Sequence, residues 1–432
     1  SENSLQDNHL SENGNGILLQ GSPRNVLVNN SAYENRYGIS IRDCGGNRLR
    51  NSRLRANLFN LRIDSVQSST ESSNYDFFVQ DIDTSNLADN KSVCYLVGEV
   101  DIAVPSDCGF LGLVSCNNIS AAGLNISNSS SGVLLVNSTG CRIRGSSIGS
   151  SEWGYLLLHC ASCIISDSRA ADCVVGFSAE KASSCRLEQD RSINCSEEGF
   201  RAGGSQGLAM VDCQARACQW GISLQDSRLC RIQNCSAADI RTDGILLRKS
   251  QEISLLDNSA AFCQRGISLA GSNSCSLMDN NASENEMDGI SLQQLTAAHL
   301  QGNLARHNGQ GIFAQSCRDL YLEKNLLEEN SRFGLRMSGC QGGKITENSI
   351  SGNSISGANL VDCKENVLYH NLFQDNGQNA ADNGANQWDG GEAVGGNYWS
   401  DHPVVGNPSR EARQIAGKGI DRYPFADPWG WR

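Results

Sequence analysis

From Gly132 to about Asn379, apolar and polar positions recur with a period of roughly 22 residues. One unit, residues 266–288, reads GISLAGSNSCSLMDNNASENEMD. Its phase-marking glycine returns at Gly132, Gly154, Gly176, Gly199, Gly221, Gly244, Gly266, Gly289, Gly311, Gly334 and Gly357. After each glycine, apolar residues alternate, as in Ile222 and Leu224, Ile245 and Leu247, Ile267 and Leu269. Period-two alternation predicts a strand. A second short strand centres about eleven residues on, at Ile143, Ile165, Leu187, Ile232, Leu255, Leu277, Leu300, Leu322, Ile345 and Leu368. No window carries a capped 3.6-residue stripe, so helix is the poorer reading.

Asparagine marks two further columns. One holds Asn258, Asn280, Asn303, Asn325, Asn348 and Asn371; the other holds Asn285, Asn308, Asn330, Asn353 and Asn376. Three short strands and turn asparagines in about 22 residues predict an all-β fold, a right-handed parallel β-helix with one coil per repeat. Asparagine suits the corners, because it tolerates left-handed backbone and its amide chains along a stack. These ladders are read as structural. About 14 rungs are expected, roughly 70 Å at ordinary strand spacing.

Taken in order, residues 1–67 are N-terminal rungs that start mid-coil, with Leu5 in the second-strand column and Asn8 and Asn13 in the asparagine columns. The start is expected to leave strand edges open to another chain. It does not read as a signal peptide, which implies a mature or cytosolic chain. Register is lost over residues 68–109, expected to form a lobe or hairpin on the solenoid's flank. Residues 110–379 form the main array. Residues 380–432 hold four of the six prolines and Trp388, Trp399, Trp429 and Trp431, and read as an irregular tail over the last rung.

The net charge of −12 argues against a nucleic-acid partner, and no basic or basic-aromatic cluster argues otherwise. No apolar run is long enough for a membrane span. Nineteen cysteines and N-x-S/T acceptor sequons at Asn29, Asn90, Asn118, Asn125, Asn128, Asn137, Asn194, Asn234 and Asn281 favour an extracellular or cell-surface protein.

Most cysteines fall into columns. Six positions after the glycine lie Cys44, Cys116, Cys160, Cys317, Cys340 and Cys363; nine after it lie Cys141, Cys163, Cys185, Cys230 and Cys275. Cys213 and Cys235 replace the first asparagine column, and Cys173, Cys195, Cys218 and Cys263 the second. Three readings stand: buried filler at tight corners, disulfides between adjacent rungs, or metal ligation. His159, His299, His307 and His370 fall in different columns, so no Cys/His cluster forms and no metal or other cofactor is expected. Cys94 and Cys108, both in the insertion, are a candidate pair.

Acid–base chemistry on a β-helix needs carboxylates, or a carboxylate with a cation, converging across adjacent rungs. The residue before each glycine tests one exposed column: Trp153, Val175, Glu198, Trp220, Asp243, Arg265, Asp288, Gln310 and Phe333. Acids are expected to alternate there without an adjacent-rung pair, and the chain reads as a non-enzyme.

Residues 81–86 (DIDTSN), 95–99 (YLVGE), 104–120 (VPSDCGFLGLVSCNNIS), 396–401 (GNYWSD) and 419–425 (GIDRYPF) carry a more specific signal. With the repeat, they resemble right-handed β-helix proteins of the NosD type, with carbohydrate-binding and sugar-hydrolase repeats, abundant on archaeal, particularly methanogen, surfaces. Residues 402–418 lack the Asp/Gly-rich stretch usual there, so no ligands are carried over. NosD's link to copper-site maturation finds little support in four methionines and scattered histidines. The resemblance implies an extracellular structural protein of a sheath or surface layer, its partner being itself through open ends and lateral contacts. The alternatives are a glycan-binding surface protein and a carbohydrate-active enzyme.

Overall fold

The computed structural model describes residues 2–65 and 75–432. It is a β-solenoid of about 18 turns rather than 14, and the chain forms two compact units, Ser1–Cys218 and Gln219–Arg432. Each regular coil has a six-residue strand followed by two three-residue strands, all parallel to their counterparts in the next coil. The glycine phase follows from close approach. A Cβ on Gly266 would lie 2.6 Å from the Gly289 carbonyl oxygen and 2.8 Å from the Asn285 amide, and one on Gly311 would lie 2.5 Å from the Gly334 oxygen.

In Gln219–Arg432 the inward columns stack like on like. Ile222, Ile245, Ile267, Ile290, Ile312 and Leu335 are in register on the first strands, and Leu255, Leu277, Leu300, Leu322, Ile345 and Leu368 on the second. All are buried, each stabilising the fold by about 1.5–3 kcal/mol through removal from water. The repeat does not end at Asn379. Ala380–Asp382, Ala385–Gln387 and Tyr398–Trp399 pair with the preceding coil's three strands. Beyond them Ala416–Gly417 pairs with Ala380–Asp382. Trp388 and Trp399 are fully buried, with Phe373 stacked 4.4 Å from Trp399. Their indole N–H groups donate to Asp382 and Asp421, each at 2.8 Å. The tail is thus a capping coil built on tryptophan.

In Ser1–Cys218 two stacks meet. The first has strands Asn15–Gln20, Tyr37–Arg42 and Phe59–Asp64 in register, and Leu5 pairs Leu27 in its second-strand column as the sequence predicts. Part of the expected insertion, residues 68–74, lies outside the described residues. The remainder contains a hairpin built into the stack. Asp81–Ile82 and Leu87–Ala88 add to the second- and third-strand columns by pairing Arg48–Arg50 and Arg53–Arg55. An antiparallel turn, Ala88 opposite Lys91, then sends Lys91–Val97 into parallel pairing with Cys108–Val114. That strand pair starts the second stack, in which Tyr155, Phe177 and Phe200 lie face to face at 4.5 and 4.8 Å. One buried cluster, containing Ile39, Leu61, Phe78, Phe110 and Leu134, spans both stacks.

Candidate functional site

The residues singled out by repetition lie inside the coils. Along Asn258, Asn280, Asn303, Asn325, Asn348 and Asn371, each Nδ2 donates to the next coil's Oδ1 at 2.9 Å, and Asn371 donates to Asn397. The second N–H of Asn303 donates to Leu277 O at 2.9 Å, and its Oδ1 also accepts the Asn280 backbone N–H at 3.0 Å. Every donor and acceptor of that amide is used. The ladder from Asn285 through Asn308, Asn330 and Asn353 to Asn376 repeats the pattern at 2.8–3.2 Å.

The column cysteines are buried free thiols; among the described residues one bridge forms, Cys94 to Cys108 between the paired strands Lys91–Val97 and Cys108–Val114, with Cα atoms 5.8 Å apart. Corner geometry explains the thiols. Sγ of Cys218 and of Cys263 each lies 3.3 Å from the carbonyl oxygen two residues earlier, filling a space without needing an amide's four bonds. The sequon asparagines lie on the outside of the coils, all exposed except the half-buried Asn128.

The column before the glycine differs from expectation. Arg265 donates to Asp243 at 2.8 Å on the adjacent coil, so a carboxylate–cation pair does form there. Asp288, one coil further, accepts from Gln310 at 2.7 Å, and burial raises its pKa. Both carboxylates are under 5 % exposed. These two acids are engaged in internal bonds.

The accessible chemistry sits on a corner column that repetition does not mark. Asp239, Phe262, Glu284, His307, Glu329, Gly352 and Asp375 occupy equivalent left-handed positions, φ 51–64°, between the third strand of one coil and the first of the next. All seven residues are exposed, and equivalent positions in adjacent coils are about 4.8 Å apart. His307 bridges two coils: Nδ1 lies 2.6 Å from Glu284 and Nε2 2.6 Å from Glu329. The hydrogen bond to Glu284, then that to Glu329, raises the imidazole pKa.

Two clefts border this ridge. One, about 460 Å³, is lined by Arg241, Phe262, Gln264, Glu284, Glu286 and His307, and the Phe262 ring is 63 % exposed. The other, about 480 Å³, is lined by Glu328, Glu329, Ser351, Gln374, Asp375 and Trp429. Trp429 is held by the Arg432 guanidinium over its ring at 4.4 Å and by Trp431 edge-on at 5.3 Å. Trp431 in turn stacks flat on His370 at 5.1 Å. Both clefts lie within Gln219–Arg432 and combine acids and amides with one aromatic ring each. Sequence reasoning missed them because it tested the column before the glycine; the run Phe262, Glu284, His307, Glu329 was visible at the same spacing.

A family model described as periplasmic copper-binding protein (NosD) matches residues 1–98 and 220–403. The chain belongs to the NosD family. A second model, the right handed beta helix region, matches residues 111–260. No curated protein matches in sequence. Among solved structures, a variant of the periplasmic alginate epimerase AlgG is similar at 13 % identity, covering 66 % of this chain and 78 % of its own, with a TM-score of 0.47. The A-module of an Azotobacter vinelandii mannuronan C-5 epimerase is similar at 11 % identity, over 67 % and 85 %, with a TM-score of 0.41. PfbA, a surface adhesin of Streptococcus pneumoniae, is similar at 8 % identity, over 58 % and 84 %, with a TM-score of 0.35.

Copper, which the family description implies, does not fit the donor set. No three His, Cys, Asp or Glu side chains among the described residues converge in a metal-holding arrangement. His307 is engaged through both ring nitrogens by carboxylates, and the thiols are sealed in the corners.

Proposed function

We propose that this protein is an exported, non-catalytic envelope solenoid that binds a neutral or amino-sugar glycan along the clefts of Gln219–Arg432. The observation that carries the reading is the ridge with its two clefts: Phe262 and Trp429 offer apolar rings, and Glu284, Glu328, Glu329, Gln374 and Asp375 offer hydrogen-bonding groups. Rings for the flat faces of sugars, with polar groups for their hydroxyls, are the usual grammar of a carbohydrate site. The excess of carboxylates disfavours a polyuronate and favours an uncharged or cationic sugar. Export is supported by the family's periplasmic description and the Cys94–Cys108 bridge.

The sheath or surface-layer reading calls on open ends and lateral contacts. In the Trp-rich tail, Phe425 is bridged to Tyr398 and Ala416–Gly417 is paired on the last first-strand. The test is calorimetric titration with β-1,4-linked glucose and glucosamine oligomers. Saturable binding is expected, weakened about tenfold by Trp429→Ala or Phe262→Ala, in line with the loss of one ring contact of about 1.4 kcal/mol. Equal affinity in both variants would remove the clefts from the account, and release of shorter oligomers would make the protein an enzyme.

A further inference from the structure

The acidic total of −12 hides an opposite local balance that the sequence reading overlooked. Between residues 24 and 62 the chain has eight arginines, no lysine, and only Glu34 and Asp43 as acids. Four of the arginines are paired: Arg48 and Arg50 with Asp81, and Arg42 and Arg62 with Asp64. Arg24, Arg36, Arg53 and Arg55 are exposed and form no ion pair among the described residues.

Two of these four, Arg53 and Arg55, share a strand face. Arg53 and Arg55 lie one residue apart on the third strand of a coil, so both project from the outer face, about 7 Å apart. In the adjacent coil Arg53 is opposite Ser31 and Arg55 is opposite Tyr33, whose ring is exposed. Arg36, three residues beyond Tyr33, lies instead over the Tyr37 ring at 5.6 Å. Of the nearest acids, three are bonded to other partners. Asp89 accepts the Ala56 backbone N–H and the amides of Asn60 and Asn128. Asp81 is taken by Arg48 and Arg50, and Asp83 by Arg50. Glu34 remains at the exposed corner before Arg36.

We propose that Arg53 and Arg55, with Tyr33, form a second binding site, specific for an anionic glycan polymer bearing carboxylate or phosphodiester groups at regular intervals. Arginine presents a planar fork that pairs two-pronged with either oxyanion, which lysine does not. A flat strand face with two forks in line suits a repeating anion better than a single one. The tyrosine ring beside Arg55 supplies a surface for the sugar between charges. This strip is in Ser1–Cys218 and stands independently of the acidic clefts, whose charge selects the opposite kind of ligand.

The experiment measures binding of the full chain to polygalacturonate and, separately, to poly(glycerol phosphate) at low ionic strength. Binding to at least one is expected, falling with salt. The double variant Arg53→Gln/Arg55→Gln should weaken it about tenfold or more, as expected for loss of charge-assisted bonds. It should also flatten the salt dependence. The control Arg231→Gln/Arg248→Gln removes the same charge from exposed positions elsewhere and should bind like the parent. The polymer that binds tells carboxylate from phosphodiester recognition. No binding to either polymer, equal loss in the control, or equal binding to anionic lipid vesicles would overturn the proposal.

Discussion

At the scale of single residues, the coil interior is governed by whether each buried amide or acid can complete its bonds. Asn303 has all four amide bonds made within the ladder. Asn303→Ala would strand the Asn280 backbone N–H, its side-chain amide and the Leu277 carbonyl. A loss of about 2–4 kcal/mol is expected in urea unfolding. Asp190 stands where the ladder elsewhere has asparagine, accepting the backbone N–H groups of Ser168 and Glu188 at 2.9 and 3.1 Å. Burial pushes its pKa from 3.8 to about 8. The folded-state value lies above the unfolded one, so the native chain holds a proton that the unfolded chain releases. The stabilisation is complete below pH 3.8 and is lost as the pH rises toward about 8. Asp190→Asn should therefore gain in Tm relative to the parent as the pH goes from 5 to 8. A constant Tm difference across that window would show Asp190 to be ionised throughout.

At the scale of elements, legibility followed constraint. The glycine, isoleucine, leucine and asparagine columns were readable because neighbouring coils press on them. Gly266 is excluded from carrying a Cβ by Gly289 and Asn285, and each ladder amide bonds to the amide in register and to backbone groups. The cysteine corners were readable as columns but not in their chemistry, because spacing alone allows filler, bridge or ligand. The structure places them as thiols bonded to local carbonyls. Thiol counting checks this: native protein should react slowly with an aromatic disulfide reagent. After unfolding without reductant, seventeen cysteines should react, all but Cys94 and Cys108. Fewer would mean bridges between coils. The crossover at residues 81–97 was not legible, because its strands keep their partners while the repeat length changes; Arg48 pairs with Asp81 33 residues on. The ridge keeps the spacing of the repeat but no repeated residue type. Corner side chains project into solvent, where packing imposes no pattern, so Phe262, Glu284 and His307 break the asparagine-and-leucine grammar without disturbing the coil.

At the scale of the molecule, the solenoid separates holding the fold from meeting a ligand. Each compact unit buries its repeated columns and leaves its non-repeated residues outside: a strip of arginines in Ser1–Cys218, and an acidic, aromatic-edged ridge in Gln219–Arg432. Asp382, Asp389 and Asp421 keep the tail in place through Trp388, Arg422 and Trp399, and that tail delivers Trp429 to the cleft. The measurement that bears most directly on glycan binding is a crystal of the full chain soaked with a β-1,4-linked glucosamine oligomer. Ordered sugar density along the corner from Phe262 to Trp429, with rings against those two side chains, is the expected result. A crystal with open clefts and no density there at saturating oligomer would contradict it.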